Sequence, residues 1–140
     1  ATGKYMIVAG TKAATILGGT KTYGYLPSTT VTIEADKIVV DETTESLAWE
    51  ITAVSGGYTI KGSDGKYLYQ TGTYNSFNLT TSATQEGAVW SIAPNSDGTF
   101  TIKNVLKNKI FQYTTGYNTF SAYASLQDDG SMPSLYKLEE

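Results

Sequence analysis

The sequence predicts an all-β fold made by repeating a four-strand unit, and three observations carry the prediction. Short runs rich in β-branched and aromatic residues recur along the chain, Gly-containing turn signals separate them, and one block occurs more than once. No stretch keeps the 3.6-residue apolar period of an amphipathic helix.

The elements follow in order. Tyr5-Met6-Ile7-Val8 opens the chain, Val31-Thr32-Ile33 and Lys37-Ile38-Val39-Val40 follow, and Trp49-Glu50-Ile51 comes next. Tyr58-Thr59-Ile60, Val89-Trp90-Ser91-Ile92, Phe100-Thr101-Ile102 and Leu135-Tyr136-Lys137-Leu138 complete the series. Gly18-Gly19, Gly56-Gly57, Asp64-Gly65, Asp97-Gly98 and Asp129-Gly130 mark turns, because Gly accepts positive φ and Asp bonds back to nearby backbone.

The repeat shows in three matches. Tyr58-Thr59-Ile60-Lys61 returns as Phe100-Thr101-Ile102-Lys103, an offset of 42 residues. Lys66-Tyr67-Leu68-Tyr69-Gln70 returns as Asn108-Lys109-Ile110-Phe111-Gln112, again offset by 42, and Tyr74-Asn75-Ser76-Phe77 as Tyr117-Asn118-Thr119-Phe120, offset by 43. Units at 58–99 and 100–140 follow, with a longer first unit at 4–57 that carries an insertion around Thr20 to Asp41. Gly3-Lys4-Tyr5 also aligns with Gly65-Lys66-Tyr67, so the register of the first unit stays open. Trp49, Trp90 and Tyr136 close the three units and are expected at equivalent sites about a threefold axis. Period-2 alternation sends Leu68 and Ile110 to one face and Tyr67, Tyr69 and Phe111 to the other.

Three four-strand units within 140 residues resemble a β-trefoil, in which one unit cannot bury its apolar face alone but three close a barrel. The expected fold is therefore a single-domain β-trefoil over 1–140 with pseudo-threefold symmetry. A β-sandwich is the alternative, since it too shows short turn-bounded strands but needs no such period, and a small Greek-key barrel ranks third.

Composition narrows the function. The chain is 40% hydrophobic and 16% charged, with a net charge of -3. It has no Cys and no His, which removes thiolate sites, imidazole bases and the Ser-His-Asp triad. All ten basic residues are Lys and the net charge is negative, so no nucleic-acid partner is expected. No apolar run is long enough to span a membrane, so membrane insertion is not expected. The opening Ala1-Thr2-Gly3 reads as part of a longer, processed protein.

Tyrosines at hairpin tips are the candidate binding residues. Tyr74-Asn75 and Tyr117-Asn118 each follow a Gly-containing turn, where a Tyr ring can stack on a sugar while the amide reads its hydroxyls. Gln70 and Gln112, with Tyr69, Tyr113 and Tyr123, are expected to extend such surfaces. The bland reading is that these tyrosines pack along strands and that each Asn stabilises a turn.

The resemblance to ricin-type β-trefoil lectins implies sugar binding, yet their Gln-x-Trp motif is missing. Leu47-Ala48 precedes Trp49 and Ala88-Val89 precedes Trp90, so that family's binding residues do not transfer. Gly65–Tyr69, Phe100–Asn104 and Leu135–Leu138 are similar to strings in repeat modules of exported, cell-surface proteins of gut anaerobes, which implies an extracellular location. Asp41-Glu42 with Glu45, and Asp128-Asp129, read as solvated loops rather than a catalytic carboxylate pair or a calcium loop. Asn78-Leu79-Thr80 matches the N-glycosylation acceptor pattern.

The expectation is an exported, monomeric, non-catalytic module without a cofactor or metal. Its partner would be a glycan or, alternatively, a surface protein for which the module serves as a structural or protein-contact domain.

Overall fold

A computed structural model describes residues 3–15, 26–31, 33–34, 37–38, 47–62, 65–70, 78–82, 84–115, 119–126 and 130–137. The strands are β1 (Gly3–Ala9), β2 (Lys12–Ala14), β3 (Leu26–Thr30), β4 (Ile33–Glu34), β5 (Lys37–Ile38), β6 (Trp49–Val54), β7 (Gly57–Lys61) and β8 (Tyr67–Tyr69). They continue as β9 (Asn78–Thr80), β10 (Trp90–Pro94), β11 (Phe100–Asn104), β12 (Ile110–Thr114), β13 (Thr119–Tyr123), β14 (Gly130–Ser131) and β15 (Ser134–Lys137).

Six of these strands form a closed barrel. Antiparallel pairs run β15–β1, β1–β6, β6–β7, β7–β10 and β10–β11. The Phe100 N–H donates to the Pro133 carbonyl at 2.8 Å and joins β11 to the segment entering β15. Three hairpins, β2–β3, β8–β9 and β12–β13, lie beside the barrel, and β13 pairs with β3 to link two of them. Closure leaves the barrel strands no free edge.

Register makes the threefold relation explicit. Tyr5 pairs with Trp49 as Tyr58 pairs with Trp90, so Tyr5 takes the place of Tyr58 and the alternative alignment of the first unit falls away. The two tryptophans occupy matching surroundings: the Trp49 indole donates to the Ala14 carbonyl and the Trp90 indole to the Leu68 carbonyl, each at 3.1 Å. Both are buried in one core with Ile7, Ile51, Ile60, Leu68, Ile102, Phe111 and Phe120. The rings of Trp90 and Phe111 meet edge to face at 6.2 Å, and Phe120 lies against both Phe111 and Tyr113.

Two sequence expectations are corrected here. Tyr136 is not the third counterpart of the tryptophans. Ile51 pairs with Ile60, Ile92 with Ile102 and Leu135 with Ile7, so the residue two places earlier along the chain is Trp49, Trp90 and Pro133. Pro133 is buried, whereas Tyr136, one step out of phase, points to the opposite side of β15 and joins a different cluster.

The second correction concerns β12. Lys61 pairs with Tyr67 and Lys103 with Ile110, so Leu68 corresponds to Phe111, not Ile110. Six residues separate the paired Lys103 and Ile110 where five separate the paired Lys61 and Tyr67, and a one-residue slip exchanges faces. Phe111 is therefore in the core and Ile110 is only half-buried.

The first unit differs from its fellows on the outward face. Met6, Val8, Ala13 and Leu47 form a second buried cluster, against which Val31 and Tyr136 pack. The corresponding outward positions of the other units hold Thr59, Lys61 and Tyr67, and Thr101, Lys103 and Ile110. Val31, within the insertion, and Leu47, which follows it, thus help to seal a face that the second unit leaves open. Within the insertion, Ile33 pairs with Ile38 and Glu34 with Lys37; Val39 and Val40 lie outside the described residues.

Candidate functional site

Alternation in Tyr67-Leu68-Tyr69 sends Leu68 into the core and both tyrosines outward, where each is half-buried. Cross-strand register sets their neighbours. Lys4, Glu50, Lys61, Tyr67 and Thr80 are successive partners across β1, β6, β7, β8 and β9, so all five share one outward row. Tyr69 faces Asn78 in the next row, and Asn78 is exposed.

Charge is arranged along the first row. The Lys61 ammonium lies 3.6 Å from the Glu50 carboxylate and 5.7 Å from the centre of the Tyr67 ring. Lys61 therefore covers one face of Tyr67, a contact worth about 0.5–1 kcal/mol at an exposed position. With both charged side chains partly exposed, the ion pair adds no more than about 1 kcal/mol. No such cation lies over Tyr69 among the described residues. The Tyr69 ring and the Asn78 amide thus combine a flat apolar surface with a donor and an acceptor. Glu50 is the one carboxylate of this row, so the row offers hydrogen bonds and ring faces rather than a carboxylate pair.

The expected binding residues divide three ways. Tyr69 is on the open face, and Tyr123 is half-buried at the end of β13 opposite Ile110. Gln70, Gln112 and Tyr113 are buried, which corrects the expectation that they widen an exposed surface. Gln70 sits beneath the second hairpin, its amide donating to the Ala122 carbonyl at 3.4 Å and its backbone N–H to the Gly87 carbonyl at 3.1 Å. The Gln112 amide bridges the Ile110 and Ser125 carbonyls, and the Tyr113 ring lies 5.0 Å from that of Phe120. Tyr74, Asn75, Tyr117 and Asn118 lie outside the described residues, as do Asp41, Glu42, Glu45, Asp128 and Asp129.

Sequence reasoning passed over Asn78, Thr80, Glu50 and Lys61 as site residues. The period-2 pattern assigned a face to Tyr67 and Tyr69, but which residues stand opposite is a matter of strand register.

The equivalent rows elsewhere are not open in the same way. In the third unit Ser91, Lys103, Ile110 and Tyr123 align, and beside them Gln112 and Ser121 are buried where the second unit has Tyr69 and Asn78. In the first unit Ser134, Val8, Ala13 and Thr29 align, and Val8 and Ala13 are buried.

No protein-family model matches the chain, and no curated protein matches it. Solved structures do match in shape. ThreeFoil, a designed threefold-symmetric protein, superposes with a TM-score of 0.68 at 14% identity, over 96% of this chain and 99% of that one. The fold is a β-trefoil. SeviL, solved bound to asialo-GM1 saccharide, matches this β-trefoil with a TM-score of 0.68 at 19% identity, covering 99% of this chain and 100% of that one. A GlcNAcα1-4Gal-releasing endo-β-galactosidase from Clostridium perfringens contains a similar region, with a TM-score of 0.73 and 17% identity. That match covers 97% of this chain and 32% of the enzyme. At these identities the likeness is one of fold.

Proposed function

We propose that this β-trefoil is a non-catalytic carbohydrate-binding module of an exported or cell-surface protein, and that its principal site is the outward face of the β8–β9 hairpin. The open Tyr69–Asn78 pair carries this reading: the ring stacks on the apolar face of a pyranose while the amide bonds to its hydroxyls. Tyr74 and Asn75, in the segment joining β8 to β9, extend the same site. Tyr117 and Asn118, in the segment joining β12 to β13, supply a second, lesser site. The saccharide named with SeviL supports a sugar ligand on this architecture.

A glycan array followed by titration of the best ligand tests the proposal. Tyr69→Ala is expected to weaken binding about tenfold, the scale of one lost aromatic contact, with Asn78→Ala a smaller loss. Binding to no glycan, or binding that survives Tyr69→Ala, Asn78→Ala and Tyr74→Ala unchanged, would rule the site out.

A further inference from the structure

The turn between β11 and β12 presents an apolar tip that the fold does not require. Val105 and Leu106 are 49% and 46% exposed, and Leu126 is 48% exposed. They are three of the four large aliphatic residues exposed among the described residues. Leu126 follows Ser125, whose carbonyl accepts from the same Gln112 amide as the Ile110 carbonyl, so it emerges at the end of the hairpin where this turn leads into β12.

Buried Asn104 builds the turn. Its side-chain amide donates to the Gly87 carbonyl at 2.8 Å, and its side-chain oxygen accepts from the Lys107 N–H at 2.9 Å. Its backbone N–H donates to the Lys109 carbonyl, and Asn108, at φ 57, donates from its N–H to the Asn104 carbonyl. None of these bonds uses the side chain of Val105 or Leu106. In the second unit the same connection reads Gly62-Ser63-Asp64-Gly65, so polar residues serve there.

Charge surrounds the tip. Lys103, Lys107 and Lys109 fall within seven residues, and no Asp or Glu occurs from Gly98 to Gln127 in a chain of net charge -3. Burial, and then the neighbouring Lys107 ammonium, lowers the Lys109 pKa. Among the described residues the acid brought near is exposed Glu86, beside the Gly87 that holds Asn104; Asp128 and Asp129, which follow Leu126 in the sequence, lie outside the described residues.

We propose that this turn is a peripheral contact for an anionic phospholipid bilayer, with Val105 and Leu106 reaching into the interface while the three lysines meet the headgroups. An apolar tip with lysines close by in sequence suits a surface that is negatively charged outside and apolar a few ångströms beneath. A protein partner fits less well, because three half-exposed aliphatic side chains fall far short of the ~800 Å² per partner that a stable interface buries. The contact needs no spanning segment and leaves the β8–β9 face free.

Co-sedimentation with vesicles of phosphatidylcholine, with and without phosphatidylserine, tests this at low and at physiological salt. The wild-type chain is expected to bind only the phosphatidylserine vesicles, less at the higher salt. Lys107→Gln with Lys109→Gln should lower partitioning about fivefold per lysine. Val105→Ser with Leu106→Asp, copying the second unit, should lower it about tenfold or more. An unchanged thermal melt confirms that each variant is folded. No preference for phosphatidylserine would overturn the proposal, as would binding that either double variant leaves intact. Competition by polyglutamate, with the apolar pair irrelevant, would point to an acidic protein partner and overturn it as well.

Discussion

Gly57 shows how a single residue supports the barrel. It follows the two-residue turn Ser55-Gly56 and lies where β7 passes β10. A Cβ built on it would stand 2.5 Å from the Trp90 carbonyl oxygen and 2.9 Å from the Val89 side chain. The first obstacle is backbone and cannot swing aside, so Gly57→Ala is expected to destabilise the fold by about 1–3 kcal/mol in chemical denaturation. Gly98→Ala, with open space at its Cβ position, then serves as a control for strain from positive φ alone. Asp97 is a second local device. The Thr99 side chain and then the Thr99 backbone N–H donate to its carboxylate, holding its pKa below the ordinary aspartate range. A carboxyl so depressed keeps its bonds above that lowered value and loses them as pH falls through it. An NMR titration should show Asp97 protonating later than a free aspartate on acidification, and Thr99→Ala should move the midpoint back up.

At the scale of strands, outward positions decide whether a unit is sealed or open. Val8, Lys61 and Lys103 are equivalent, yet Val8 is buried while Lys61 and Lys103 reach solvent. Val8→Lys would push an unpaired ammonium into the cluster of Met6, Ala13 and Leu47, and is expected to cost about 3 kcal/mol or more. Lys103→Val at the matching place should stay within about 0.5 kcal/mol. Equal costs for the two exchanges would contradict the sealing of the first unit. The hairpin elements also show where alternation misleads. Tyr67-Leu68-Tyr69 follows a single inward residue, but β12 buries Phe111, Gln112, Tyr113 and Thr114 in succession. Phe111 and Tyr113 face the core, while Gln112 is enclosed on the other side by bonds to the Ile110 and Ser125 carbonyls. Exposure therefore cannot be read from parity alone when neighbouring chain covers the second face.

For the whole molecule, unequal units set how many ligands the chain can hold. The first unit's row is filled by its own apolar side chains, and in the third Gln112 and Ser121 are enclosed. Calorimetric titration with a bound glycan should accordingly give no more than two sites per chain, the stronger one abolished by Tyr69→Ala. Three equal sites would show that the first unit also binds and that its outward face opens. Asymmetry extends to charge, because the third unit alone combines an apolar turn with three lysines.

The sequence by itself determined that this chain is all-β, that it repeats, and that Trp49 and Trp90 are counterparts. Strand propensity, turn chemistry and a recurrent spacing are local properties, and each is written in consecutive residues. Tertiary structure alone decided that Pro133 rather than Tyr136 completes the trio, that Phe111 replaces Ile110 in the core, and that Asn78 stands opposite Tyr69. Those facts depend on register between strands, and one added residue in a turn reverses every side chain beyond it. The burial of Gln70 and Gln112 was equally beyond reach, since a glutamine goes inside only where backbone carbonyls from other strands arrive to meet its amide.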